Sequence, residues 1–168
     1  MRDILRAGVV ASIATALLAG TAWAGTATSQ ARVIPFVASF KGMATTKVTD
    51  NVVDIAANGA GKATLMKATK ITGKGTGDAS QQPCVPFTGP GSMTNATGTK
   101  INFVVLPGST GCGDQDESVP VSVSGRAKIT TGTKAYKGAK GTLKFSGVYD
   151  RQGGAFTIKF TGKVTLPK

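Results

Sequence analysis

No histidine occurs in these 168 residues, and that absence removes much of enzyme chemistry. A Ser-His-Asp triad, an imidazole general base and a histidine-bearing metal site are all excluded. Glutamate occurs once, as Glu117, so paired-carboxylate chemistry would have to use aspartates. Beyond the N-terminal segment these are Asp50, Asp54, Asp78, Asp114, Asp116 and Asp150. Cysteine is scarce too: Cys84 and Cys112 lack the C-x-x-C spacing of a reactive pair. Aromatics make up only 6% of the chain, and few accompany the lysines, which argues against a base-stacking nucleic-acid platform. Helical periodicity is missing after the first two dozen residues, so the body of the chain reads as all-β.

Acidic residues are outnumbered, eight against 20 basic ones, for a net charge of +12. The N-terminus itself reads as a secretory signal peptide over residues 1–24. Arg2 and Arg6 form its basic start, Ala7 to Gly20 its apolar run, and Ala22-Trp23-Ala24 its cleavage site. That run is shorter than the ~20 apolar residues needed to span a bilayer, and no second such run follows. The expectation is export, to the periplasm or outside the cell, of a single domain over residues 25–168 that does not span a membrane. Losing Arg2, Arg6 and Asp3 with the leader would take the charge from +12 to +11. Such an excess fits anionic partners, and export favours an envelope polyanion or membrane surface over nucleic acid; it also fits a merely well-solvated exterior. In an oxidising compartment Cys84 and Cys112 should pair, closing a 29-residue loop. With both thiols paired, thiol catalysis and thiolate zinc sites are excluded as well.

What is present is period-two patterning. Val119 to Thr130 places Val121, Val123, Gly125, Ala127 and Ile129 on one face and Ser122, Ser124, Arg126 and Lys128 on the other. Thr142 to Tyr149 and Ala155 to Leu166 alternate in the same way, with a hairpin loop at Asp150 to Gly154 in which Gly153 and Gly154 are assigned positive φ. Gly125, Gly147 and Gly162 all fall on the inward face, where they let strands bend as in barrels. Between two of these strands, Thr131 to Phe145 forms a glycine-punctuated corner without a group suited to acid, base or nucleophilic work. Ile34, Phe36, Ala38 and Phe40 alternate earlier, Val53, Ile55 and Ala57 suggest a short strand, and Lys100 to Leu106 an apolar one. Lys62 to Thr72 has strand composition with mixed faces, read as a bulge. Gly73 to Ser92 and Pro107 to Glu117 read as loops that the cysteine pair would staple together.

Lys128, Lys144, Lys159 and Lys163 fall on outward faces, and Lys134, Lys137 and Lys140 on the corner. These seven are the candidate contacts for a polyanion. The interior is apolar and suits either a packed core or a small apolar ligand. Asp114, Asp116 and Glu117 form the one acidic cluster and the candidate for a loop-bound calcium ion; without the EF-hand spacing, and with six to eight oxygens to supply, a solvated loop beside the disulfide is the preferred reading, and no cofactor is implied. Asn95-Ala96-Thr97 matches the N-glycosylation acceptor pattern.

Gly61-Lys62-Ala63-Thr64-Leu65-Met66-Lys67, then Gly132 to Thr142 around Ala135-Tyr136-Lys137-Gly138-Ala139-Lys140-Gly141, then Phe145-Ser146-Gly147, resemble exported bacterial proteins with an allene oxide cyclase-like or dirigent-like barrel. The resemblance implies an antiparallel, calycin-like barrel of about eight strands. Leu65 stands where such chains often carry histidine, and no position matches the catalytic residues of the plant cyclases or the aspartate-rich pocket of dirigent proteins. Three readings follow: a non-catalytic module that binds an apolar ligand or an envelope polyanion, a dirigent-like or cyclase-like activity on a small hydrophobic substrate, and a structural envelope protein. The second calls for at least one buried carboxylate, tyrosine or arginine pointing into the barrel, with Asp54, Asp150 and Arg126 the named candidates.

Overall fold

The computed structural model describes residues 31–114, 116 and 118–167; the expected signal segment and Glu117 lie outside them. Nine antiparallel strands follow in order: β1 Arg32–Thr49, β2 Val52–Ala63, β3 Lys67–Asp78, β4 Cys84–Asn95, β5 Lys100–Val105, β6 Thr110–Cys112, β7 Val121–Gly132, β8 Lys140–Tyr149 and β9 Ala155–Leu166. Their order is β3-β2-β1-β9-β8-β7-β5-β4-β6, and β3 also pairs with β4 and β7 with β6, so the sheet closes on itself. Because β5 and β6 run in line between β4 and β7, they share one position, and the result is an eight-position barrel. Among the described residues the only helical turn is a short 3₁₀ segment, Lys134–Tyr136.

Residues 106–109 form the splice between β5 and β6. Val105 faces Ala127 and Thr110 faces Ser124, so five steps on one strand pass three on its neighbour. A bulge of this kind leaves ladder groups unpaired. Buried Ser109 repairs the gap: its hydroxyl donates to the Leu106 carbonyl at 2.8 Å and accepts from the Arg126 amide at 3.2 Å. It occupies the space that a side chain at Gly125 would need, since an ideal Cβ there would lie 2.1 Å from Ser109 Oγ. Inward glycine at this position is therefore a packing requirement.

The two ends of the barrel differ. At one end Phe36, Phe40, Met66, Met93, Ile101, Phe103, Tyr136, Leu143, Phe145 and Phe160 fill the interior. Edge-on and tilted ring pairs join Phe40, Phe103 and Phe145 to Phe160. Tyr136 is the plug. It is 0% exposed, meets Phe36 edge-on, and donates its hydroxyl to the Thr64 carbonyl at 2.5 Å. Burial pushes its pKa up to about 12, because the phenolate would be stranded away from water. The turns over this end brace one another: Thr64 exchanges hydrogen bonds with the Val37 backbone, Asn95 donates to the Met66 carbonyl, and Lys134 to the Thr97 carbonyl.

The last strand occupies the predicted Ala155–Leu166, and the faces of β7 and β8 follow the predicted alternation. Several expectations are corrected, among them the loop read over Pro107 to Glu117, which contains β6. Val119 is outside β7, exposed in the preceding loop, because Pro120 offers no amide to a ladder. The mixed faces of Lys62 to Thr72 come from a hairpin turn at Thr64–Met66; Leu65 and Lys67 adopt φ of +60° and +54° without help from glycine. Gly73 to Ser92 is mostly strand, because Gly73, Gly75 and Gly77 are inward positions where β3 runs close to β4. In the Asp150 to Gly154 hairpin only Gly154, not Gly153, takes a positive φ, of +71°.

The Cys84–Cys112 disulfide is present, and it joins two directly paired strands, β4 and β6, rather than two loops. It thereby pins the far side of the Ser109 splice. Replacing both cysteines by serine is expected to lower unfolding free energy by about 3–4 kcal/mol in a denaturant titration, from the restored freedom of the unfolded loop. Tyr136→Phe should cost about 1–3 kcal/mol at neutral pH by orphaning the Thr64 carbonyl. Tyrosine ionises near 10 in the unfolded chain and about 12 in the folded one, so its stabilisation is complete below pH 10 and fades as pH rises from 10 to 12. The wild-type advantage over Tyr136→Phe should shrink across that window.

Candidate functional site

The end opposite the plug is an open mouth, formed by the Asp50–Asn51 turn and residues 79–83, 113, 114, 116, 118–120 and 150–154. Its inward positions carry smaller side chains than the plugged half. They include Val53, Ile55 and Ala57 of β2, Val85, Val105, and Val121 and Val123 of β7, with glycines at 73, 75 and 111. Aromatic rings are left to the floor, where Phe87, Phe103, Phe145, Phe156 and Phe160 meet the core. The alternation that fills the barrel at one end therefore leaves an apolar cup of about 560 Å³ at the other. Small-molecule sites usually measure ~300–1,000 Å³ and are lined mainly by apolar groups.

Polar groups gather at the rim. Tyr149 continues the inward face of β8, and its hydroxyl lies 3.4 Å from Thr46 Oγ1. Arg151, in the β8–β9 turn, donates from Nη2 to the carbonyls of Asp114, Asp116 and Val119, while its buried Nε has no partner. One guanidinium thus ties the 113–120 loop to the neighbouring turn. The Asp116 carboxyl is held below the usual carboxylate range by hydrogen bonds from Ser118, from its side chain and then its amide. Asp78 is lowered in the same way by Ser80 and Gln81 beside the mouth. Beside the cup the β3–β4 ladder lapses at Lys74–Gly75, opposite Gly89–Pro90, where proline has no amide to give.

The residues named for a catalytic reading do not enter the cup. Asp54 and Arg126 are exposed on outward faces, and Asp150 accepts from the Gln152 and Gly153 amides of its own turn. Among the described residues, the titratable side chains at the cup are Tyr149 and Arg151; Lys74 borders it with its backbone and is exposed on the outward face of β3. Of the acidic cluster, Asp114 and Asp116 are drawn into loop hydrogen bonds, with Asp114 accepting from the Asp116 amide. No group of three possible metal ligands occurs among the described residues.

The candidate polyanion contacts are all exposed. Lys128, Lys144, Lys159 and Lys163 share the outer wall of β7, β8 and β9; Lys144 stands opposite Arg126, while Thr142 lies between Lys128 and Lys163. Lys134, Lys137 and Lys140 belong to a different surface, the plugged end. Asn95 is turned into its own tight turn, where Oδ1 accepts from the amides of Thr97 and Thr99. Sequence reasoning did not single out Tyr149 or Arg151, and it left open whether the apolar interior is packed or hollow. Tyr149 was placed on the correct face, yet nothing in the alternation distinguishes a filled half-barrel from an empty one. No family model, curated protein or solved structure matches this chain. Arg151→Met should free the 113–120 loop and speed exchange of its amide hydrogens by about tenfold, with the barrel strands unaffected.

Proposed function

We propose that this protein is an exported, non-catalytic binding module that holds a small apolar ligand in the open half of its barrel. The observation that carries this reading is the apolar cup of about 560 Å³ above a packed floor. A ligand there would bury its apolar body against Val121, Val123, Phe156 and Ile158 and leave a polar end near Tyr149, Thr46 and Arg151. Asp114, Asp116 and Asp150 surround that rim, which favours a neutral polar end over an anionic one. The closed barrel and the disulfide agree with an allene oxide cyclase-like or dirigent-like barrel in an oxidising compartment. A cyclase-like or dirigent-like reaction would need an acid or base from the cup wall, and Tyr149 is the residue best placed to serve.

The test is titration with N-phenyl-1-naphthylamine, an apolar dye that fluoresces when removed from water. Saturable binding in roughly the micromolar range is expected, little changed by salt because the contact is not ionic. Ile158→Asp should weaken it by about tenfold or more, since the ligand would have to desolvate a carboxylate. Dye binding that fails to saturate, or that Ile158→Asp leaves unchanged while the melting temperature holds, would overturn the reading.

A further inference from the structure

Acidic residues are sorted along the barrel axis, whereas lysines are spread over its wall. All six described aspartates lie at or beside the mouth. Asp50 is in the β1–β2 turn with Asp54 just beyond it; Asp78 ends β3 opposite Val52; Asp114 and Asp116 are in the 113–120 loop; Asp150 is in the β8–β9 turn. Strands β1, β4, β5, β7, β8 and β9 contain no acidic residue, and neither do the turns over the plug. That end instead exposes Arg32, Lys62, Lys67, Lys134, Lys137 and Lys140. A field of one sign, without carboxylates among it, attracts an extended anionic surface.

Exposed apolar side chains accompany this basic end: Val33 and Val37 on the outward face of β1, and Leu65 in the turn beyond β2. Leu65, at the tip of the β2–β3 turn, is 54% exposed and has φ +60°. The left-handed conformation is disfavoured for leucine and free of strain for glycine, so another residue would serve the turn better. Its neighbours provide the structural bonds. Thr64 binds the Val37 backbone and accepts from Tyr136, and Met66 is buried in the core. Leu65 is thus a strained, water-exposed aliphatic group set between Lys62 and Lys67, on a turn that the plug holds rigid. Its use lies outside the chain.

We propose that the plugged end docks on an anionic lipid bilayer, with its lysines among the head groups and Leu65 inserted below them. A bilayer combines an anionic surface with an apolar layer a few ångströms beneath. An acidic polysaccharide offers charge without that layer. A single-stranded nucleic acid would call for stacking rings, and no aromatic side chain is among the exposed large apolar residues. Docked this way, the barrel turns its mouth to the water. The inference does not depend on what the cup holds.

Vesicle flotation tests it, using protein purified from cells that express the whole reading frame. Binding to phosphatidylglycerol-containing vesicles, weak binding to pure phosphatidylcholine and release by salt are expected. Each lysine near such a surface contributes about fivefold, so reversing Lys134, Lys137 and Lys140 to glutamate should cut partitioning by about a hundredfold or more. Leu65→Gly is the sharper variant: binding should fall about tenfold while the melting temperature holds or rises, because strain is relieved. Reversing Lys144 and Lys159 on the wall should do far less, and all variants should still bind the apolar dye as the wild type does. Undiminished binding by Leu65→Gly, or equal losses from wall and corner reversals, would overturn the assignment. So would preferential binding of polygalacturonate that ignores Leu65, which would give the surface to a polysaccharide.

Discussion

Closing a sheet on itself sets the terms for everything else in this molecule. Closure leaves no free edge, but it forces each strand to coil and brings neighbouring backbones too close for side chains at some inward positions. An ideal Cβ at Gly147 would lie 2.1 Å from the Thr157 carbonyl oxygen, and one at Gly61 would lie 1.9 Å from that of Ser39. Glycine at such points is what makes a closed cylinder possible. Volume removed there has to be restored elsewhere, and only one half of the barrel restores it. Phenylalanines, methionines and Tyr136 pack the plugged half; the valines and glycines of the other half cannot meet across the lumen.

Much of this architecture is legible along the chain wherever alternation is regular. Phe156, Ile158, Phe160, Val164 and Leu166 announce the inward face of β9, and Ile34, Phe36, Ala38 and Phe40 that of β1. Legibility fails where a turn or strand uses unexpected residues. The β2–β3 turn has leucine and lysine at positive φ in place of glycine, so composition hides it. The inward glycines of β3 and the prolines of β4 have the opposite effect and make two long strands look like loop. The cup is less visible still. Its existence depends on which inward residues share a level, and that follows from barrel stagger rather than from any local pattern. Tyr136 shows the same limit: in sequence it is one aromatic in a lysine-rich corner, and its role rests on a carbonyl 72 residues away.

The chemistry divides along the same axis as the packing. Carboxylates are gathered at the open rim, where several are spent on local turns, and the plugged end is basic. A chain without histidine and with both thiols joined has no imidazole base or free thiol to offer, and the roles proposed for its two ends ask only for an apolar cup and a charged surface. The seven lysines singled out by alternation belong to two surfaces, a curved wall that also exposes Val148 and the plugged end that exposes Leu65.

The pairing of β1 with β9 also dictates when the fold can form. Twelve residue pairs, from Arg32 with Leu166 to Met43 with Ala155, join the first strand to the last. During synthesis β1 has no partner on that side until β9 has been made, so the cylinder cannot close before Leu166 is available. Contacts this distant in sequence also make folding slow, on the order of milliseconds to seconds. The barrel thus cannot be completed piecemeal along the chain: strands β1 to β8 can be made and paired while the seam beside β1 still waits for the last one.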